Sequence, residues 1–138
     1  FSGDIRADLA RRDFTINALA TELGQFNVIA STAKQSQLKL IDPFSGKKDL
    51  GNKIVRAVNE QILEADAARL LRAVRLAAEF DFTIEPNTED LVRHYSQFII
   101  KVAGERVREE LLRLLGLPRA AHYLRYLDKL DLLLALIP

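Results

Sequence analysis

Apolar residues in the second half of the chain recur at helical spacing, most clearly from Leu63 to Phe80, LEADAARLLRAVRLAAEF. On a wheel of about 100° per residue, Leu63, Leu70, Leu71, Val74, Ala77 and Ala78 share one sector. Asp66, Arg69, Arg72, Arg75 and Glu79 fall outside it. Rich in alanine and free of Gly and Pro, the stretch predicts one continuous helix.

The first half is more mixed. Asp8 to Leu23 carries apolar positions compatible with a helix capped by Asp8 and ended by Gly24, although Phe14-Thr15-Ile16 is β-prone and breaks the pattern. Phe26–Ala30 and Leu38–Ile41 read as short strands flanking a polar link, Ser31 to Gln37, and predict a hairpin. Asp42 to Gly46 has turn chemistry, and Lys53 to Val58 predicts a third strand.

From Asn59 onward the pattern is helical. After a linker at Asp81–Pro86, Asn87 or Thr88 caps a helix to about Gln97. Gly104 introduces a helix over Glu105–Leu115, with Val107, Leu111, Leu114 and Leu115 as its buried stripe. Two more helices follow, from Pro118 to about Leu127 and from Asp128 to Ile137. The expected fold is mainly α, a helical array preceded by a small β-hairpin.

Composition narrows the chemistry. With 49% hydrophobic and 28% charged residues over 138 positions, the chain is a folded domain rather than a disordered one. A net charge of +1 leaves no global basic footprint of a stand-alone nucleic-acid binder. Absence of cysteine excludes disulfides and thiolate zinc sites. No run of about eighteen apolar residues suits a membrane span, and a cytoplasmic protein is expected. His94 and His122 stand alone, without metal-ligand spacing, and read as surface or packing residues. Because the chain starts at Phe1, lacks methionine and stops after a hydrophobic segment at Pro138, it reads as a piece of something longer.

The polar side of the central stretch repeats an Asp and three Arg at i+3 steps. Asp66 and Arg69 side by side offer acceptor and donors suited to a nucleobase edge. Taken alone, they equally form an ordinary surface ion pair. Three acids balance three arginines over Glu64–Phe80, so the segment presents no net field to phosphate.

Four blocks in order decide between these readings. RRDFTINALA (11–20), IDPFSGKKDL (41–50), DAARLLRAVRLAAEF (66–80) and ERVREELLRLL (105–115) resemble motifs B, C, D and E of the class II tRNA nucleotidyltransferase and poly(A) polymerase family. The resemblance covers residues 8 to 115. It implies that residues 1–58 are the C-terminal part of a nucleotidyltransferase head, with motifs B and C. Residues 59–138 are then a helical neck and the start of a body, with motifs D and E. The implied reaction adds CMP and AMP, from CTP and ATP, to the tRNA 3′ end. Poly(A) polymerase, CC-adding or A-adding activity and a non-catalytic RNA-binding helical domain are the alternatives.

The resemblance also implies roles. Arg12 lies near the triphosphate, and Asp13 and Asn17 contact the ribose or hold the loop. Asp66 and Arg69 read the base, while Arg72 braces that pair or faces phosphate. Glu105 and Arg106 support the motif D helix, and motif C is a hinge without direct chemistry. Mg²⁺ is bound in the family by a DxD pair upstream of motif B. This sequence contains no DxD, so no metal ligand or catalytic carboxylate is assigned to it, and the chain alone is expected to be inactive. The family commonly has Glu immediately before the motif D aspartate. Here that residue is Ala65, with Glu64 one position earlier.

Overall fold

The computed structural model describes residues 3–21 and 39–138. Helix α1 (Ile5–Ala10) is capped by Asp4, whose carboxylate accepts from the Arg6 amide at 3.0 Å. The helix therefore starts earlier than Asp8 and stops well before Leu23. Its end is dictated by Phe14, a fully buried ring on extended backbone that forms an antiparallel bridge with Ala57. The Thr15 amide donates to the Arg56 carbonyl at 2.9 Å, and the Val58 amide to the Asp13 carbonyl at 3.1 Å. These cross-chain bonds, with the burial of Phe14, outweigh continuation of a short helix.

A single 3-10 turn (Thr15–Asn17) leads into strand β1 (Ala20–Thr21), which pairs antiparallel with β2 (Leu40–Ile41). The small hairpin-like pairing expected of Leu38–Ile41 is thus made with Ala20–Thr21. The expected Phe26–Ala30 strand and the Ser31–Gln37 link lie outside the described residues.

Turn residues 42–46 are tied down rather than loose. Asp42 accepts from the Gly46 amide at 2.6 Å and the Lys47 amide at 3.1 Å, opening helix α2 (Gly46–Gly51). A Cβ on Gly46 would sit 2.0 Å from the Thr15 carbonyl oxygen, so only glycine permits this approach. On α2, Asp49 is buried and accepts from the Thr15 hydroxyl at 2.7 Å and from Arg56 Nε at 2.9 Å. Burial raises the Asp49 carboxyl, but the bonds from Arg56 and Thr15 outweigh it and hold its pKa below the ordinary value.

Strand β3 (Ile54–Val55) runs parallel to β4 (Thr83–Ile84), which occupies part of the stretch expected to be a linker. Between them lie helices α3 (Glu60–Ala65), capped by Asn59, and α4 (Ala68–Phe80). The expected single helix over 63–80 is therefore two, broken at Asp66, whose φ of −145° and ψ of 95° are extended. The reason is local. The Asp66 carboxylate, one residue before the Ala67 N-cap, accepts from the Ala68 amide at 3.2 Å and so satisfies the first free amide of α4.

Helix α5 (Pro86–His94) is capped by Glu85 rather than by Asn87 or Thr88, and ends before a 3-10 segment over Ser96–Lys101. Helices α6 (Gly104–Leu115), α7 (Ala120–Lys129) and α8 (Leu132–Leu136) complete the array. Leu63, Leu70, Leu71 and Val74 are fully or almost fully buried, each worth about 1.5–3 kcal/mol. The chain packs around α4, whose most extensive neighbour is α6. That neighbour also covers part of the polar face, so Arg75 is buried despite its place on the wheel. Along α6, Leu114 is buried and Val107 and Leu111 partly so, whereas Leu115 is half exposed, contrary to the expected stripe.

Candidate functional site

An open cleft of about 580 Å³ is lined by Asp8, Arg11, Arg12, Asp13, Asn17, Arg69 and Arg72. It unites the turn after α1 with the exposed edge of α4, segments more than fifty residues apart. Five of the six nucleotide-contact residues expected from sequence meet there; the sixth, Asp66, does not line it. Asp8 and Arg11, not among the expected contacts, join them and are ion-paired with each other.

Asp13 organises the floor of the cleft. It is nearly buried, and its Oδ1 accepts from the Phe14 amide at 2.8 Å and from Asn17 Nδ2 at 3.1 Å. Its Oδ2 accepts from Arg72 at 3.1 Å. A carboxylate so saturated is held in one orientation.

Arg72 is shared. Its Nε donates to Glu110 of α6 at 3.0 Å while its other end reaches Asp13. Burial lowers the Arg72 pKa, but hydrogen bonds to Asp13 and Glu110 outweigh it and leave it above the ordinary value. The second Glu110 oxygen accepts from Arg75, which also pairs with Glu79 at 2.6 Å. Glu110 is buried and bridges two arginines of α4. Glu105, expected to support the same helix, is exposed, and its carboxylate accepts no bond from α4 among the described residues. In ERVREELLRLL three glutamates compete for that role, and only the helix phase relative to α4 selects Glu110.

At the α3–α4 break, Arg106 does act on the motif D segment. It donates to Asp66 Oδ2 at 2.7 Å. Burial raises the Asp66 carboxyl, but Arg106, the Ala68 amide and Arg69 together hold its pKa below the ordinary value. Arg69 donates through one terminal nitrogen to the Ile62 carbonyl at 3.0 Å. With α3 ending at Ala65, that carbonyl lies in its last turn, where helical acceptors are left over. The Asp66–Arg69 pair expected from i+3 spacing is long, 3.9 Å from Nε to Oδ2. Arg12, by contrast, is exposed and makes no ion pair among the described residues, so its guanidinium faces the cleft uncommitted.

Four arginines against two aspartates give the cleft a positive excess. That suits a polyanion such as a triphosphate. It does not suit the Mg²⁺ that the resemblance implies: Asp8 and Asp13 are both spent on arginines, and no cluster of three His, Asp or Glu suitable for a metal occurs among the described residues. His94 and His122 are exposed, each meeting a tyrosine edge-on. Among the described residues, no helix is long and apolar enough to cross a membrane.

Comparison with known proteins places both halves of the chain among known relatives. Residues 1–56 match the model of the poly A polymerase head domain, and residues 81–138 that of the probable RNA and SrmB-binding site of polymerase A. A CC-adding tRNA nucleotidyltransferase of Geobacter sulfurreducens is 42% identical over 121 residues, covering 88% of this chain and 25% of its own. An A-adding tRNA nucleotidyltransferase of Deinococcus radiodurans is 37% identical over 140 residues, covering 98% of this chain and 29% of its own. The chain thus spans only a quarter to three-tenths of the length of these relatives. The structure of a Thermotoga maritima CCA-adding enzyme complexed with tRNA matches with a TM-score of 0.83 at 34% identity, over 97% of this chain and 31% of that one. The structure of a CCA-adding enzyme in complex with ATP gives the same TM-score and identity. The mainly helical fold, the motif order and these matches agree: the chain belongs to the class II tRNA nucleotidyltransferase and poly(A) polymerase family.

Proposed function

We propose that this chain is the nucleotide-selecting part of a cytoplasmic nucleotidyltransferase that extends the 3′ end of tRNA with CMP and AMP. Residues 1–58 then belong to the head and residues 59–138 to the neck and the start of the body. The observation that carries the reading is the cleft itself: motif B and motif D side chains, far apart in sequence, line one arginine-rich concavity. In it, Arg12 grips the triphosphate of CTP or ATP, its free guanidinium matching phosphate oxygens in bidentate fashion. Asn17 and the fixed Asp13 bond the ribose hydroxyls. Arg69 meets the edge of the base from the cleft wall and Asp66 from just beyond the lining, and Arg72 braces Asp13 from behind.

The reaction would be a phosphoryl transfer. Attack of the tRNA 3′-hydroxyl on the α-phosphate forms the new phosphodiester and expels pyrophosphate. Mg²⁺ would supply charge neutralisation from carboxylates outside this chain. The residues here bind, orient and choose.

The test uses the complete protein that carries this chain, with tRNA lacking its terminal CCA, Mg²⁺, and labelled CTP or ATP separately and together. Extension by C-C-A is the expected product. CC alone, A on a CC end, or a long A tail would identify a CC-adding, A-adding or poly(A)-polymerising relative. In parallel, Asp66→Ala is expected to erode discrimination between CTP, ATP and the wrong nucleotides by about ten-fold or more, the scale of one charge-assisted hydrogen bond. No extension of any kind would overturn the reading in favour of a non-catalytic RNA-binding domain.

A further inference from the structure

Two guanidinium groups stand over a single carboxylate oxygen at the break between α3 and α4. Arg106, from α6, holds Asp66 Oδ2 at 2.7 Å. On the other side, Arg69 Nε lies 3.9 Å from the same oxygen. That Nε is buried and has no hydrogen-bond partner. Its neighbouring terminal nitrogen is already engaged by the Ile62 carbonyl, which keeps the guanidinium from turning away to find another acceptor.

The two contacts differ in cost. Arg106 is about half exposed, with 48% of its side chain accessible, so water replaces Asp66 readily if the pair opens. Arg69 is only 20% exposed, and its unpaired Nε has no such replacement. A shift of Oδ2 by about an ångström would satisfy the buried donor at the expense of the solvated one. Asp66 stays anchored meanwhile, since its Oδ1 accepts from the Ala68 amide. The carboxylate can therefore serve either arginine by a small rotation without dismantling the cap of α4.

We propose that Arg106 is a specificity-determining positioning residue: it competes with Arg69 for Asp66 Oδ2, and so sets which donors and acceptors the Asp66–Arg69 pair shows to an incoming base. The inference rests on the base-reading role proposed above. With Asp66 drawn to Arg106, the Arg69 guanidinium is held by its bond to Ile62 alone while it lines the cleft. With Asp66 drawn onto the buried Nε, the guanidinium is held at two places, and Asp66 resets its plane and the direction of its terminal N–H groups. Cytosine presents two adjacent acceptors beside its amino group, whereas adenine presents one on the corresponding edge. A turned guanidinium plane disturbs cytosine, which needs both acceptors met at once, more than adenine, so loss of Arg106 weakens reading of cytosine more. In place of an acidic neighbour at Ala65, the Ile62 carbonyl orients Arg69 and Arg106 orients Asp66.

The experiment compares kcat/KM for CTP and ATP in the complete protein for Arg106→Ala, Arg106→Lys and Asp66→Ala, with melting temperature measured for each. The expected result is a fall of at least about five-fold in the CTP to ATP ratio for Arg106→Ala, largely restored by Arg106→Lys, which keeps a cation within reach of Asp66. Equal loss on both nucleotides, whether or not the melting temperature falls, would mean that Arg106 only supports the fold, and would overturn the inference. An altered ratio in Asp66→Ala with an unaltered ratio in both Arg106 variants would likewise overturn it while leaving the base-reading assignment intact. An unaltered ratio in Asp66→Ala would remove that assignment, and this inference with it.

Discussion

Two polar networks join distant parts of the chain, and they are built to opposite ends. Around Asp49, Thr15 and Arg56 supply three bonds to one buried carboxylate, Arg56 continues to Glu85 at 3.6 Å, and Glu85 caps α5. Gly46 sits directly on the Thr15 carbonyl, so the backbone has no alternative path. Around Asp66, by contrast, one carboxylate faces two arginines, one of which keeps an unsatisfied buried donor. The first network has every group matched and one arrangement. The second retains a choice, beside the cleft where a ligand can exercise it. A joint between segments needs the former, and a selector needs the latter.

Behind the cleft, Glu110 belongs with the matched kind. Both its oxygens are used by buried or half-buried arginines of α4. Glu110→Ala would leave Arg72 and Arg75 facing each other with fewer counter-charges, at a cost of about 3–5 kcal/mol, as expected when one member of a buried ion pair is removed. Urea unfolding should show the lowered midpoint, and Arg72, released from α6, should no longer hold Asp13. A midpoint within error of the parent's would mean that the bridge is not a matched unit and that the contrast drawn here fails.

Gly46→Ala probes the joint without touching the cleft. The added methyl meets backbone rather than a pliant side chain, so α2 must shift from Thr15, with about 1–3 kcal/mol or more of destabilisation. Thermal unfolding measures the loss. Nucleotide selectivity should stay as it was, because neither Asp66 nor Arg69 contacts Gly46. A change in selectivity with little change in stability would show that the joint and the selector are coupled.

The legible part of the sequence was the part carried by local pattern. The apolar side of residues 63–80, the helix beginning at Gly104 and the turn at Asp42 all have periodicity or turn chemistry of their own. The break at Asp66 is not legible, since no Gly or Pro marks it. The available signal was an aspartate followed by a fresh helical run, only seven residues after Asn59, itself an N-cap. Strand β3 falls within the strand expected over Lys53 to Val58, whereas β4 has two residues, too few for an alternating pattern, and exists because Thr83 meets Ile54 across the chain. Likewise, Phe14 ends α1 only because Ala57, 43 residues away, gives it a partner. Motif B and motif D residues are legible only through family resemblance. Their meeting in one cleft, and the choice of Glu110 over Glu105, are products of tertiary packing.

That last pair allows a sharper comparison within one helix. Glu105 and Glu110 are five residues apart on α6, so they point about 140° apart around its axis. Glu110 is directed at α4 and buried; Glu105 lies in the exposed first turn. Its carboxylate still interacts favourably with the helix N-terminus, a surface effect of a few tenths of a kcal/mol. Glu105→Ala is therefore expected to lower stability by no more than about 0.5 kcal/mol and to leave the CTP to ATP ratio unchanged. Chemical unfolding and the same nucleotide assay check both. A loss approaching that of Glu110→Ala would require Glu105 to reach α4 after all, and the support for the motif D helix would have to be reassigned to the first turn of α6.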